Sequence, residues 1–358
     1  MIRNHGKNSD IDYKKYKISI IIPCRNEEKY IAKCLNSIIS QDYPINNLEI
    51  LVVDGMSTDK TVQVIKSYSE QHLSIKILKN TKKITPCAFN LGIKHSKADI
   101  IMIMGAHSTY ERDYISKCIK YLNKYNVDNV GGMVITLPGN EEILANSIAL
   151  AVSHPFGAGN AYYRIGLKEP KYVDTVFGGC YKKEVFEEIG LFDEDLVRNQ
   201  DDEFNFRLIK NGRKILLVPD IICYVYARDS IYKLWKMHYQ YGYFKPLVAK
   251  KVGGVLSWRQ IVPPLFTGSL ILALLLSFLT KYFLWLFLFI IGLYIVIDIT
   301  VSLIISLKKK DLRLLPFLIA SFMTIHFGYG FGYLKGIWDF IIFNKNLKRR
   351  NKDIPLTR

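Results

Sequence analysis

The sequence predicts an α/β domain with a mostly parallel sheet and helices on both faces, followed by C-terminal transmembrane helices. Three observations predict it. Up to about Pro219, short runs of branched apolar residues alternate with amphipathic helical stretches; beyond about Ile261 the chain turns into lipid-soluble helix; and polar residues gather directly after the apolar runs.

Residues 1–17 are a polar lead-in without the apolar core of a signal peptide. The domain then occupies 18–229. Ile18–Ile22 and Leu48–Val53 have the composition of strands buried on both faces, and Ile31, Leu35, Ile38 and Ile39 between them fall on one face of a helix. A helix with Val62, Ile65 and Tyr68, a strand near Ile75 to Leu78, a helix near Pro86 to His95 and a strand at Asp99 to Met104 repeat the pattern. Such a succession makes a parallel sheet, and ligands of such sheets bind beyond the carboxyl ends of the strands.

Residues 230–260 mix Tyr232, Trp235, Tyr239, Tyr241, Tyr243 and Phe244 with Lys233, Lys236, Lys245, Lys250 and Lys251, a composition suited to interfacial helices lying at a lipid headgroup layer. The membrane region, 261–343, contains three hydrophobic segments, 266–279, 282–307 and 314–338. The middle one is long enough to span, at roughly 20 residues per crossing. Asp298 within it must face a neighbouring helix or water. Gly328, Gly332 and Gly336 recur on one helix face and permit close packing against another span. The cationic loop Lys308–Arg313 and the basic tail, 344–358, belong on the cytoplasmic side. Three crossings satisfy the hydropathy, whereas two crossings and a surface-lying last helix satisfy the charges.

The 49 Lys and Arg against 32 Asp and Glu give a formal charge of +17, suited to an anionic partner such as a membrane surface, a phosphorylated lipid or a nucleotide. The adjoining hydrophobic segments argue against nucleic acid as that partner. Six cysteines stand singly, without zinc spacing, as reduced structural thiols do in a catalytic domain facing the cytoplasm. No G-x-G-x-x-G follows a strand, which disfavours a dinucleotide-binding oxidoreductase.

The motifs ISIIIPCRNEEKYI, EILVVDGMSTDKT, FNLGIKHSKADIIMIMGAH and VDTVFGGCYKKEVFEEIGLFDEDLVRNQDDEFNFRLIKNG follow one another in an order that resembles the inverting family-2 glycosyltransferases of the GT-A (nucleotide-diphospho-sugar transferase) fold. The resemblance runs from about Lys17 to Tyr243, and the RNQDDE and QYGYFK runs are similar to the succinoglycan-type exopolysaccharide enzymes. It implies that Pro23, Arg25 and Glu27 line a nucleoside pocket and that Asp54 accepts a hydrogen bond from uracil.

Where most members carry Asp-x-Asp for a divalent metal, Mn2+ or Mg2+, this chain has Gly105-Ala106-His107, leaving His107 to hold metal or diphosphate. The family's Glu-Asp pair falls on Gln200-Asp201, which implies Asp201 as general base, with Asp202 next to it. Gly178, Gly179, Glu203 and Gln240 are expected around the sugars. The family's Gln-x-x-Arg-Trp element reads Gln240-Tyr241-Gly242-Tyr243-Phe244, so processivity is not implied.

The expected activity is transfer of a sugar from a nucleotide donor, UDP-linked, to a hydroxyl of a lipid-linked saccharide at the cytoplasmic membrane. Transfer directly to polyprenyl phosphate and a non-catalytic nucleotide-sugar-binding scaffold are the alternatives.

Overall fold

The computed structural model describes residues 15–254 and 258–345. Most of the polar lead-in and the basic tail from 346 onward lie outside the described residues. The chain divides into two compact units, one holding the residues up to Ile135 together with Gly166–Val225, the other Thr136–Ile165 and the chain from Tyr226 on.

The first unit begins with β1 (Ile18–Cys24), α1 (Ile31–Ile39), β2 (Leu48–Asp54), α2 (Thr61–Gln71), β3 (Ile75–Lys79), α3 (Thr85–His95), β4 (Ile100–Ile103), β5 (Ser108–Tyr110), α4 (Tyr114–Lys124) and β6 (Asn129–Leu137). The chain then contributes α5 (Ile143–Ser153), α6 (Pro155–Ala158) and α7 (Tyr162–Ile165) to the second unit. It returns for β7 (Lys171–Tyr172), β8 (Gly179–Lys182), α8 (Glu184–Glu188), α9 (Gln200–Lys210) and β9 (Ile215–Tyr226).

The sheet order is β3-β2-β1-β4-β8-β6-β9-β5, with β7 on β9. The β3-β2-β1-β4 half is parallel, with Ile18 opposite both Leu48 and Ile100. β1, β2 and β4 are almost wholly buried, which is why they read as apolar runs, whereas the edge strand β3 buries only Ile75 and carries exposed Lys76 and Lys79. The other half is less uniform than expected. β8 runs antiparallel to β4 and β6, and β9 runs antiparallel to β5 and β7, so the sheet is mixed.

The second unit continues with α10 (Ile231–Val252), α11 (Val262–Leu276), α12 (Lys281–Lys308) and α13 (Leu315–Gly336), the last prolonged by a π-helical stretch, Ile337–Ile342. Two stretches, Lys281–Lys308 and Leu312–Ile342, are long and apolar enough to cross a membrane, while α11 has 15 residues. The glycine face of α13 packs against α10, not against another span. A β-carbon on Gly332 would stand 2.1 Å from the Tyr239 carbonyl oxygen, one on Gly336 2.2 Å from that of Tyr243, and one on Gly242 2.1 Å from that of Tyr329. Gly330 meets α11 in the same manner, its β-carbon position 2.0 Å from Thr267 Oγ1. The segment expected to lie on a surface as an amphipathic helix is therefore clasped along one face, with Tyr232 and Trp235 left exposed.

Asp298 does face inward as anticipated: it is buried, and Ser302 Oγ donates to its Oδ1 at 3.1 Å. A second set of polar contacts joins α13 to α6 and α12. The Phe156 carbonyl can only accept, so His326 Nε2 donates to it at 2.7 Å, and the other ring nitrogen accepts from the Tyr294 hydroxyl at 3.0 Å. At one end of these helices, Ile148, Ala151 and Val152 of α5 share an apolar core with Leu234, Ile305, Leu314, Leu318 and Phe322.

Candidate functional site

The carboxyl ends of β1 and β2 carry the first group of expected residues. Asp54 closes β2 and is buried. Its Oδ2 accepts from the Met56 and Ser57 amides at 3.0 and 3.2 Å, and its Oδ1 accepts from Ser57 Oγ at 2.6 Å. These bonds hold the following loop in a turn in which Met56 has a φ of 63°. A carboxylate offers about four acceptor positions, so little of Asp54 is left for a base edge. Asn26 ties this loop to the one after β1: its amide donates to Ser57 Oγ at 2.9 Å and its Oδ1 accepts from the Thr58 amide at 2.8 Å. Asp59 caps the start of α2, accepting from the Thr61 amide at 3.0 Å.

Arg25 sits between these loops, and a β-carbon on Gly55 would lie 3.3 Å from its own Cβ. Its Nε and Nη1 are buried with no hydrogen-bond partner. Buried guanidinium donors are costly unless something accepts from them, so the pair marks a place for an anionic or carbonyl-bearing ligand. Pro23 is half-buried in β1, and Glu27 is buried beyond it. The neighbouring Cys24 thiol is pushed up by burial and then by the charges of Asp54 and Glu27.

Glu27 connects this corner to the loop after β4, its Oε1 lying 3.5 Å from His107 Nδ1. Among the described residues no group of three or more His, Cys, Asp or Glu could hold a metal ion by itself. Two donors at this spacing suit a cation that takes its remaining oxygens from a bound diphosphate, the habit of hard divalent ions at phosphate sites. Gly105 is packed in: a β-carbon there would stand 2.9 Å from Ser108 Oγ and 3.5 Å from the Phe177 ring, and its carbonyl accepts from the Cys34 thiol at 3.4 Å.

Phe177 leads to Gly178 and Gly179, expected to open space for a sugar. The structure shows what the backbone itself demands of them. They have φ values of 67° and 127°, and β-carbons would stand 2.3 Å from the Ile103 carbonyl oxygen and 2.6 Å from Asn129 Oδ1, so glycine is required by the sheet itself.

The acidic run follows Asn199, whose φ of 61° turns the chain into α9. Asp201 is exposed in the first turn, Asp202 is half-buried and Glu203 is buried. Glu203 is engaged within its own helix. Its two oxygens accept from Arg207 Nε at 2.6 Å and Nη2 at 3.0 Å, and Arg207 also donates to the Ile189 and Leu191 carbonyls at 2.7 Å each. Asp201 is close enough to Tyr181 that its charge adds to burial in pushing that hydroxyl up, and the Tyr181 hydroxyl donates to the Gly178 carbonyl at 3.2 Å. Gln200, where the family pattern has an acid, has a buried Oε1 with no donor.

The loop leading into α9 is held from α3. Asn90 Nδ2 donates to the Phe192 carbonyl at 2.9 Å and its Oδ1 accepts from the Phe192 amide at 3.0 Å. The same Nδ2 donates to Glu194, whose carboxyl is held down to about 2 chiefly by its bond from Lys82. Asn90, Arg207 and Tyr181 were not among the expected residues. Only the Glu203/Arg207 spacing of one helical turn signals any of them in sequence.

Within the first unit, Gly55 packs against Arg25 after β1 and β2, Glu27 meets His107 after β4, Gly105 stands near Phe177, and Tyr181 reaches Gly178 and feels the charge of Asp201. Gln240 lies apart in sequence, buried in α10 of the second unit.

A family model described as glycosyl transferase family 2 matches residues 19–190. The chain is 36% identical over 328 residues to the dolichyl N-acetyl-α-D-glucosaminyl phosphate 3-β-D-2,3-diacetamido-2,3-dideoxy-β-D-glucuronosyltransferase of Methanococcus voltae, covering 89% of this chain and 98% of that protein. It is 22% identical over 323 residues to the succinoglycan biosynthesis protein ExoA of Rhizobium meliloti, covering 90% and 95% respectively. Among solved structures, the mannosyltransferase PcManGT from Pyrobaculum calidifontis, in complex with GDP-Man and Mn2+, superposes with a TM-score of 0.58 at 18% identity over 91% of this chain and 89% of that one, a likeness of fold.

Proposed function

The chain belongs to glycosyltransferase family 2 and is an enzyme of that kind, and from that premise we propose that it moves a sugar from a nucleotide donor, UDP-linked, to a hydroxyl of a lipid-linked saccharide at the cytoplasmic face of a membrane. The observation that carries this reading is the pair of buried, unmatched Arg25 donors beside the loops after β1 and β2, a cationic seat for a nucleotide in the unit that also holds the exposed Asp201. The acceptor class follows from the Methanococcus voltae relative, which is named for a dolichyl-linked sugar phosphate and matches this chain nearly end to end. Confining enzyme and acceptor to one surface raises their effective concentration.

Asp201 takes the proton of the acceptor hydroxyl as its oxygen bonds to the anomeric carbon. The bond from that carbon to the diphosphate oxygen breaks on the opposite side, and the leaving nucleoside diphosphate keeps the electron pair, so the configuration inverts. Arg25 and the loop ordered by Asp54 seat the nucleotide; Tyr181 and the Arg207–Glu203 pair fix the backbone around the base. Asp202 stands next to it in the same helical turn as a second carboxylate. His107 and Glu27 would hold a divalent cation on the diphosphate, where it would offset charge on the leaving group.

Purified protein given UDP-sugars, a lipid-linked saccharide extract and Mn2+ should release UDP and yield an extended lipid-linked product by mass spectrometry. Turnover with GDP-sugars alone would overturn the uridine assignment, and product on polyprenyl phosphate alone would overturn the acceptor. His107→Ala should move the Mn2+ concentration for half-maximal rate upward by about tenfold, the loss of one hydrogen-bonding or ligating group at roughly 1.4 kcal/mol per decade. An unchanged titration would remove the histidine from the diphosphate end.

A further inference from the structure

We infer that only the α11–α12 hairpin enters the bilayer, and that α13, locked along α10, stays on the face from which the chain enters. The inference rests on the reading that this enzyme works at a membrane, and it decides between the two topologies that hydropathy and charge leave in conflict.

The two helices share a direction. Trp235 meets Gly328, Tyr239 meets Gly332 and Tyr243 meets Gly336, each step four residues on both sides, and Lys250 Nζ donates to the Phe340 carbonyl at 2.9 Å. Contact therefore runs in parallel for about four turns, and any hydrocarbon slab that α13 crossed would contain α10 as well. α10 is unfit for that. Between Ile231 and Val252 it carries five lysines, His238 and Gln240, with no Asp or Glu. A lysine at the bilayer centre is strongly disfavoured on every insertion scale, and five on one helix compound the cost. α13 adds Lys335, paired with the buried Asp339 at 2.9 Å, and Asp339 also accepts from Lys345 and from the Tyr243 hydroxyl.

The hairpin has the opposite character. Val262 to Thr280 and Tyr282 to Ile297 contain no charged residue. Leu275, Phe278, Leu279, Trp285 and Phe289 project from it, exposed by 60% or more. α12 alone is about 42 Å long at 1.5 Å per residue, ample for a bilayer core of roughly 30 Å. With the hairpin inserted and α13 outside, Lys308–Lys310, Arg313, Lys335 and Lys345 all fall on one side, as the distribution of positive charge requires.

The six native cysteines are buried, so single introduced cysteines report alone to a membrane-impermeant maleimide. Leu73→Cys, at a site 93% exposed in the first unit, marks the catalytic side. In vesicles of either orientation, Lys309→Cys and Phe343→Cys should react together with Leu73→Cys, and Thr280→Cys at the hairpin tip should not. Labelling of Phe343→Cys only in the opposite orientation from Lys309→Cys would overturn the inference and leave membrane anchoring intact. Release of the whole protein by carbonate washing would remove the membrane reading and the inference together.

Discussion

Asp201→Asn should lower the transfer rate by about three orders of magnitude, within the range of 10²–10⁴ for loss of a general base, with UDP affinity changed less than twofold. The side chain is exposed in the first turn of α9, and the amide keeps its shape while losing the site for a proton. Its neighbours are less suited. Glu203 is buried under two bonds from Arg207, and Asp202 is half-buried. Asp202→Asn should therefore cost less than tenfold. Burst kinetics with labelled donor and calorimetry with UDP separate the two quantities. Wild-type turnover in Asp201→Asn would end the base assignment, and a matching loss of UDP affinity would place the residue in donor binding.

The second large effect is expected on folding. Gly332→Val should strongly reduce the yield of folded protein, and Gly332→Ala should lower the midpoint of thermal unfolding in detergent by several degrees. A β-carbon there falls 2.1 Å from one backbone oxygen and 3.0 Å from the Tyr243 amide nitrogen, neither of which can rotate away. Overfilling a packed site costs typically about 1–3 kcal/mol, and here the only relief is to part the two helices. Gly292→Ala is the control, because nothing stands within 4 Å of its β-carbon position. Equal stability of the alanine variants at 292 and 332 would mean that the helices are not in backbone contact.

The parallel half of the sheet was readable because strands covered on both faces show as apolar runs with helical stretches between them, as Ile18–Cys24, Leu48–Asp54 and Ile100–Ile103 do; the edge strand Ile75–Lys79, with two exposed lysines, was legible from its place in the succession. The antiparallel half was not. β5 and β7 have three and two residues, too short to carry a period, and β9 continues through Pro219 and Asp220. The four-residue glycine spacing announced close packing, yet spacing cannot name the partner, and the polar α10 took the place of a span.

The family resemblance named Glu27 and His107, which the structure brings within 3.5 Å of each other. What it could not convey is where hydrogen bonds are already spent. The Asp54 carboxylate is occupied by its own turn, Glu203 by Arg207, and Gly178 and Gly179 by the demands of the strand beside them. Arg25 shows the reverse case. Its unmatched donors could be found only once the surrounding backbone was in place.

The register of α10 on α13 also bears on how the two segments can change length. Each residue of a helix turns it by about 100°, so inserting or deleting a single residue between Gly328 and Gly336 would swing every later glycine off its carbonyl and drive a bulky neighbour into the gap. Drift in loop lengths elsewhere is cheap, but these two stretches must keep a common frame, gaining or losing residues together or not at all.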